Sequence, residues 1–411
     1  MKATVLRVRA LFKAFVIVSL FMGCAAGGAT GEHPAGPPEG NDSPRSFAVF
    51  LYKALKVGQG NLTFSPSSIS SVLAMAYDGA RGTTREQMAA VLHFPLDSQR
   101  FHGFLTETAT GSTRQPGQDG ITLNTANALW GQSGYPFLQG FLNDLKTFHL
   151  SELRRVDFSG QTEAARSAIN GWVQEKTAGL IRDLIGPGVL TPETRLVLTN
   201  AIYFKGLWAA QFSRQDTRTG RFILSSKDAA DVDMMEQTGD FRYLETADMK
   251  ILEMPYSGSR LSMVVVLPET KGGLSKVEGS LSPSVLGKWM DDIDGANPVQ
   301  VRVRLPRFKV SAEFDLSRTL SRMGMPEAFG DAADFSGMTG SRGLFISNVI
   351  HKAFVEVNEE GTEAAAASAV IMTKSMHMVR EFHADHPFLF LIREHRTGSI
   401  LFMGRVTDPR P

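Results

Sequence analysis

The chain has 411 residues, 43% of them hydrophobic, and its 43 Lys and Arg nearly balance 42 Asp and Glu, a composition ordinary for a globular protein with a sizeable core. No dense basic cluster marks a nucleic-acid or heparin face, and the single cysteine excludes an internal disulfide. Length alone suggests two domains, since single bodies seldom exceed roughly 300 residues.

Residues 1–23 read as an export signal. Lys2, Arg7, Arg9 and Lys13 form a basic start, and Ala14–Met22 is an apolar run too short to span a bilayer comfortably. Cys24 follows directly. The context Leu20-Phe21-Met22-Gly23-Cys24 resembles a bacterial lipobox, in which Cys24 becomes a lipidated first residue, although Phe21 and Met22 depart from its usual residues. Ordinary signal cleavage nearby is the alternative. Either way the protein is expected to be exported, as a membrane-anchored lipoprotein or a secreted, extracellular protein. Without residues 1–23 the 43 basic residues fall by four to 39, against 42 acids, a net charge of about −3. Residues 24–44, rich in Gly, Ala and Pro, read as a flexible tether.

The folded body is expected to start near Arg45. Asn61–Phe64 reads as a short strand, and Ser65-Pro66 as an N-cap with Pro in the first helical turn. Ile69, Val72, Leu73 and Ala76 repeat at helical spacing until Gly79. Thr84-Arg85-Glu86-Gln87 predicts a capping box opening a helix through Leu92. Residues 106–120, polar with Gly and Pro, read as a loop. Ile121–Trp130 reads as a strand, Phe137–Phe148 and Glu163–Leu184 as helices, and Leu196–Phe204, Leu261–Leu267 and Val301–Phe308 as strands. Phe388–Ile392 and Ile400–Met403 form a final apolar strand pair. Helices dominate the first half and strands the second, giving an α+β class without internal repeats.

The stretch EVNEEGTEAAAASAVIMTKSM, residues 356–376, fits no single element. Thr362 could cap an Ala-rich helix over Ala364–Ala369. Alternatively Thr362, Ala364, Ala366, Ser368, Val370 and Met372 are uncharged and mostly small at every second position. They would form one face of a strand that could enter a core, imposed by its neighbours because Ala is a poor strand former.

Several blocks along residues 45–411 belong together: Phe64-Ser65-Pro66-Ser67-Ser68, Gly79-Ala80-Arg81-Gly82-Thr83-Thr84, Asn127-Ala128-Leu129-Trp130, Ile169-Asn170-Gly171-Trp172-Val173, Asn200-Ala201-Ile202-Tyr203-Phe204-Lys205-Gly206-Leu207-Trp208, and His386-Pro387-Phe388-Leu389-Phe390. With Glu359-Glu360-Gly361-Thr362-Glu363 followed by Ala364, Ala365, Ala366 and Ala367, they resemble the serpins, and the match at the last block is specific.

The resemblance implies one domain with the serpin fold, about nine helices and three β-sheets with an exposed reactive-centre loop. It implies a metastable, single-use inhibitor of serine proteases and no enzyme. A protease attacks the loop and forms an acyl-enzyme, and the cut loop inserts into the main sheet as a new strand, trapping the protease. Glu359, Gly361, Thr362, Glu363 and Ala364–Ala367 would be the hinge. The cut bond falls at Ser375–Met376 by the usual loop length, or at Lys374–Ser375 with a hinge side one residue shorter. The second would suit a trypsin-like protease. Ser65, Ser68, Asn200 and His351 would form a polar cluster beneath the central strands, and Trp208 would lie where the loop first enters. A non-inhibitory binding or chaperone-like protein of the same fold is the alternative.

No G-x-S-x-G, H-E-x-x-H or phosphate-binding Gly-Lys loop is present. His377, His383, Asp385 and His386 are the best metal candidates, but they precede Pro387 in what reads as extended chain, so neither metal nor cofactor is expected. The expected partners are a serine protease and, through Cys24, a membrane; the chain is expected to act as a monomer.

Overall fold

The computed structural model describes residues 43–58, 60–112, 120–360 and 379–410. All lie in one compact unit, Pro37–Pro411. Two hydrogen-bonded sheets organise these residues. The smaller has five strands in the order Phe308–Asp315, Asn348–Val357, Leu196–Gly206, Ile121–Gln132 and Leu153–Val156. Its central strand, LVLTNAIYFKG, is buried along nearly its whole length, as a strand covered on both faces should be. Leu196 and Leu198 face a core shared with the helices Ser43–Leu55 and Pro66–Gly79. Val197 and Ala201 turn the other way, onto Ile169 and Val173 of the helix Thr162–Lys176. Ile202 and Phe204 enter another core, formed with the larger sheet.

Within the five-stranded sheet, Asn348–Val357 runs antiparallel to Phe308–Asp315 but parallel to Leu196–Gly206. Leu196–Gly206 is antiparallel to Ile121–Gln132. The central seam is therefore a parallel pair, with Asn348 opposite Val197 and Val355 opposite Phe204.

The nine-stranded sheet is built around the 17-residue strand Ala229–Glu245. One end of that strand pairs with Arg218–Ile223, its middle with Pro298–Pro306, and its far end with Met249–Pro255. Two smaller sheets thus share one strand, giving three sheet regions. The expected final strand pair is present: Phe388–Glu394 and Ile400–Val406 are antiparallel. Ten α-helical segments accompany the sheets among the described residues.

Four local expectations need correction. Residues 106–112 are helical, the end of Ser98–Ser112; Phe101 anchors that helix against Tyr77 and Phe94, with ring centroids 4.8 and 5.2 Å away. The helix expected over Glu163–Leu184 stops at Lys176, because Ala178 and Gly179 both take positive φ and the Thr177 hydroxyl accepts from Ile181 N. Thr84 caps nothing. Its buried hydroxyl accepts from Asp334 N at 2.9 Å, and the helix starts at Gly82. The run Val301–Phe308 is two strands, Pro298–Pro306 and Phe308–Asp315, which pass into different sheets at Arg307.

Candidate functional site

A buried polar network crosses the parallel seam. Ser65 caps the helix Pro66–Gly79, its Oγ accepting from Ser68 N at 3.2 Å, which the Ser-Pro pair predicts. The backbone N–H of Ser65 donates to His351 Nε2 at 3.2 Å. Nε2 is therefore an acceptor, so Nδ1 carries the proton and donates to Asn200 Oδ1 on the opposite strand. His351 and Asn200 face each other in register across the seam. Asn200 Nδ2 donates to Ser68 Oγ and Asn127 Oδ1, and Ser68 Oγ donates to Asn127 at 3.2 Å.

Ser65, Asn200 and His351 are fully buried and Ser68 is 5% exposed. Burial pushes the His351 imidazole down from its ordinary 6.5 to about 3. A neutral ring is also what the geometry requires, because protonation would turn Nε2 into a donor facing a donor. The four residues expected to cluster do meet, and Asn127 joins them. Sequence reasoning missed Asn127 although it heads one of the quoted blocks; its signal was a polar side chain at the strand position opposite Asn200.

Trp208 is not part of that network. It lies just past the end of the central strand, roughly 25 Å along the chain from Asn200. Its ring stacks on Tyr256 at 4.6 Å and 9°, and its Nε1 donates to Asn358 O at 2.9 Å. The following residues are also held. Glu359 is 2% exposed. Its carboxylate accepts from the Thr217 hydroxyl at 2.6 Å and from Arg307 Nε at 2.8 Å, and its carbonyl accepts from Phe212 N at 3.1 Å. Glu360 pairs with Arg214. The chain is thus pinned up to the residue before Gly361. Arg307, Thr217 and Tyr256 escaped sequence reasoning because they come from separate elements and match no motif.

Gly361, Thr362, Glu363, Ala364–Ala367, Lys374, Ser375, Met376 and Cys24 lie outside the described residues, as does His377. His386 offers no free ligand nitrogen: Nδ1 meets Asp385 Oδ1 at 2.7 Å and Nε2 meets Pro268 O at 2.8 Å. Among the described residues one set, Glu253, Asp294 and His395, gathers at metal-binding distances. Arg393 already holds both of its carboxylates, so the charge a cation would supply is present.

No helix among the described residues is long and apolar enough to cross a membrane. The family model for serpins, serine protease inhibitors, matches residues 42–409. The chain is 44% identical over 373 residues to leukocyte elastase inhibitor A of Rattus norvegicus, covering 88% of this chain and 97% of that protein. It is 43% identical to an uncharacterized serpin-like protein of Thermococcus kodakarensis, covering 90% and 87%. The crystal structure of Serpin48 from Tenebrio molitor superposes with a TM-score of 0.79 at 34% identity, covering 90% of this chain and 98% of that one. The chain belongs to the serpin family.

Proposed function

We propose that this protein inhibits serine proteases as a suicide substrate. The observation that carries the reading is the parallel seam together with the chain that leaves it. A segment folding back from Val357 would run antiparallel to both Asn348–Val357 and Leu196–Gly206, so it could fill the space between them with full hydrogen bonding. The residues that would fold back carry small, uncharged side chains at alternate positions from Thr362. Thr362 enters such a sheet without the several kcal/mol that an unpaired buried charge would cost. Similarity to inhibitors of leukocyte elastase supports a protease as the partner.

In this mechanism the protease acylates itself on the loop at Lys374–Ser375 or Ser375–Met376. The chain from Thr362 through Ala367 then inserts, hinging at Glu359–Gly361, and carries the tethered enzyme with it. For insertion the seam must part, and the Ser65, Ser68, Asn127, Asn200 and His351 hydrogen bonds exchange partners as it does. Trp208 and Glu359 hold the end where the loop enters. A cut at Lys374–Ser375 would select a trypsin-like enzyme. The protein works alone, as a monomer without cofactor, and it is not a catalyst. Residues 1–23 direct export, residues 24–44 form the tether, and Cys24 supplies a lipid anchor.

The test is the thermal stability of the protein before and after its loop is cut by a protease that it does not trap. Insertion predicts a large gain, because the new strand completes the sheet. Equal stability of the cut and uncut forms would refute it.

A further inference from the structure

The seam is crossed on its other face too. Ala201 and Ile350 face the helix Thr162–Lys176. By strand alternation Tyr203, Phe354 and Glu356 share that face, opposite to Asn200 and His351. Tyr203 and Phe354 are partners in register. Their rings stack with centroids 5.2 Å apart and planes 21° from parallel. The Tyr203 hydroxyl reaches Glu356 Oε2 at 3.5 Å, and Lys309 of the next strand out holds the same carboxylate at 3.4 Å. Three strands are linked in this way, and Tyr203 is only 6% exposed.

We infer that Tyr203, Phe354 and Glu356 form a clasp on the seam that sets how readily a new strand enters. The inference rests on the insertion reading above. Neighbouring strands lie about 4.8 Å apart, so a strand placed between these two moves them to about 9.6 Å. No stack at 5.2 Å survives that separation. The clasp therefore stabilises the uncut form and contributes nothing to the inserted one. Tyr203 and Phe354 are positioning residues: they touch no protease and act on the speed of insertion. Because the acyl-enzyme hydrolyses while insertion proceeds, that speed divides encounters between trapping and release.

The experiment uses the full chain and a synthetic peptide with the sequence of residues 362–373, whose uptake as a strand is followed by native gel mobility. Phe354→Leu and Tyr203→Leu should each speed uptake about 2- to 12-fold, the rate equivalent of one aromatic pair. Combining them should add little, since either alone removes the stack. After loop cleavage, each variant should melt where the cleaved wild type melts. Wild-type uptake with unchanged rates in both variants would overturn the clasp and leave the insertion reading standing. Equal destabilisation of cut and uncut forms would also overturn it, marking the pair as ordinary packing. Failure of the wild type to take up peptide or to gain stability on cleavage would overturn the insertion reading, and the clasp with it.

Discussion

His351 should make the seam sensitive to acid. Its ring is fully buried, accepts from Ser65 N, donates to Asn200 and spans the two strands that would part. Its folded value near 3 lies below the ordinary 6.5, so the folded state binds this proton more weakly than the unfolded state does. The stabilisation is complete above pH about 6.5 and is lost as pH falls toward about 3. Each pH unit within that window costs about 1.4 kcal/mol, so moving from pH about 7.5 to about 5.5 removes about 1.4 kcal/mol through this one residue. The assay is the rate at which denaturant drives the protein out of its native state at the two pH values, for wild type and His351→Gln. His93, His383 and His395, whose values burial also lowers, are common to both proteins and cancel in the comparison. Between pH about 7.5 and about 5.5 the unfolding rate of the wild type should rise about tenfold more than that of the variant. An equal rise in both would refute the reasoning.

Other perturbations probe different parts of the mechanism. Glu359→Lys places a cation opposite Arg307 in a site that is 2% exposed. With Arg307 41% exposed, the change should cost about 3 kcal/mol, the lower end for breaking a buried pair; thermal unfolding of the uncut protein measures it, and an unshifted midpoint would count against a stabilising role of the Glu359–Arg307 pair. Thr362→Arg should leave loop cleavage intact but convert the inhibitor into a substrate, since an unpaired charge would have to be buried first. Undiminished inhibition by that variant would remove the insertion account. Cys24→Ala should release the protein from membranes into the soluble fraction, and continued membrane association would argue against lipidation.

Much of this architecture was legible in the sequence because its cues are local. Ser65-Pro66 predicts a helix start on chemistry that the structure repeats atom for atom, and the apolar run Leu196–Phe204 predicts a strand, which the structure shows as Leu196–Gly206. The misreadings have different causes. Thr84 looks like a cap but serves Asp334, 250 residues away. The helix at Glu163 looks continuous through Leu184, yet Gly179 and the Thr177 hydroxyl turn the chain out of it. The seam network was readable only through family blocks. Nothing local in His351 reveals that Ser65, 286 residues earlier, donates to it. The Tyr203–Phe354 stack was not visible at all, since it depends on a register between parallel strands far apart in the chain.

The most direct test of the central claim is to mix the compact body, residues 37–411, with trypsin-, chymotrypsin- and elastase-like proteases and resolve the products in SDS. The released C-terminal peptide is weighed at the same time. Trapping predicts a complex that survives SDS with at least one enzyme, and a peptide beginning at Ser375 or Met376, which fixes the cut bond and the class of target. Clean cleavage in this stretch by every enzyme, with no complex and no gain in stability afterwards, would contradict it.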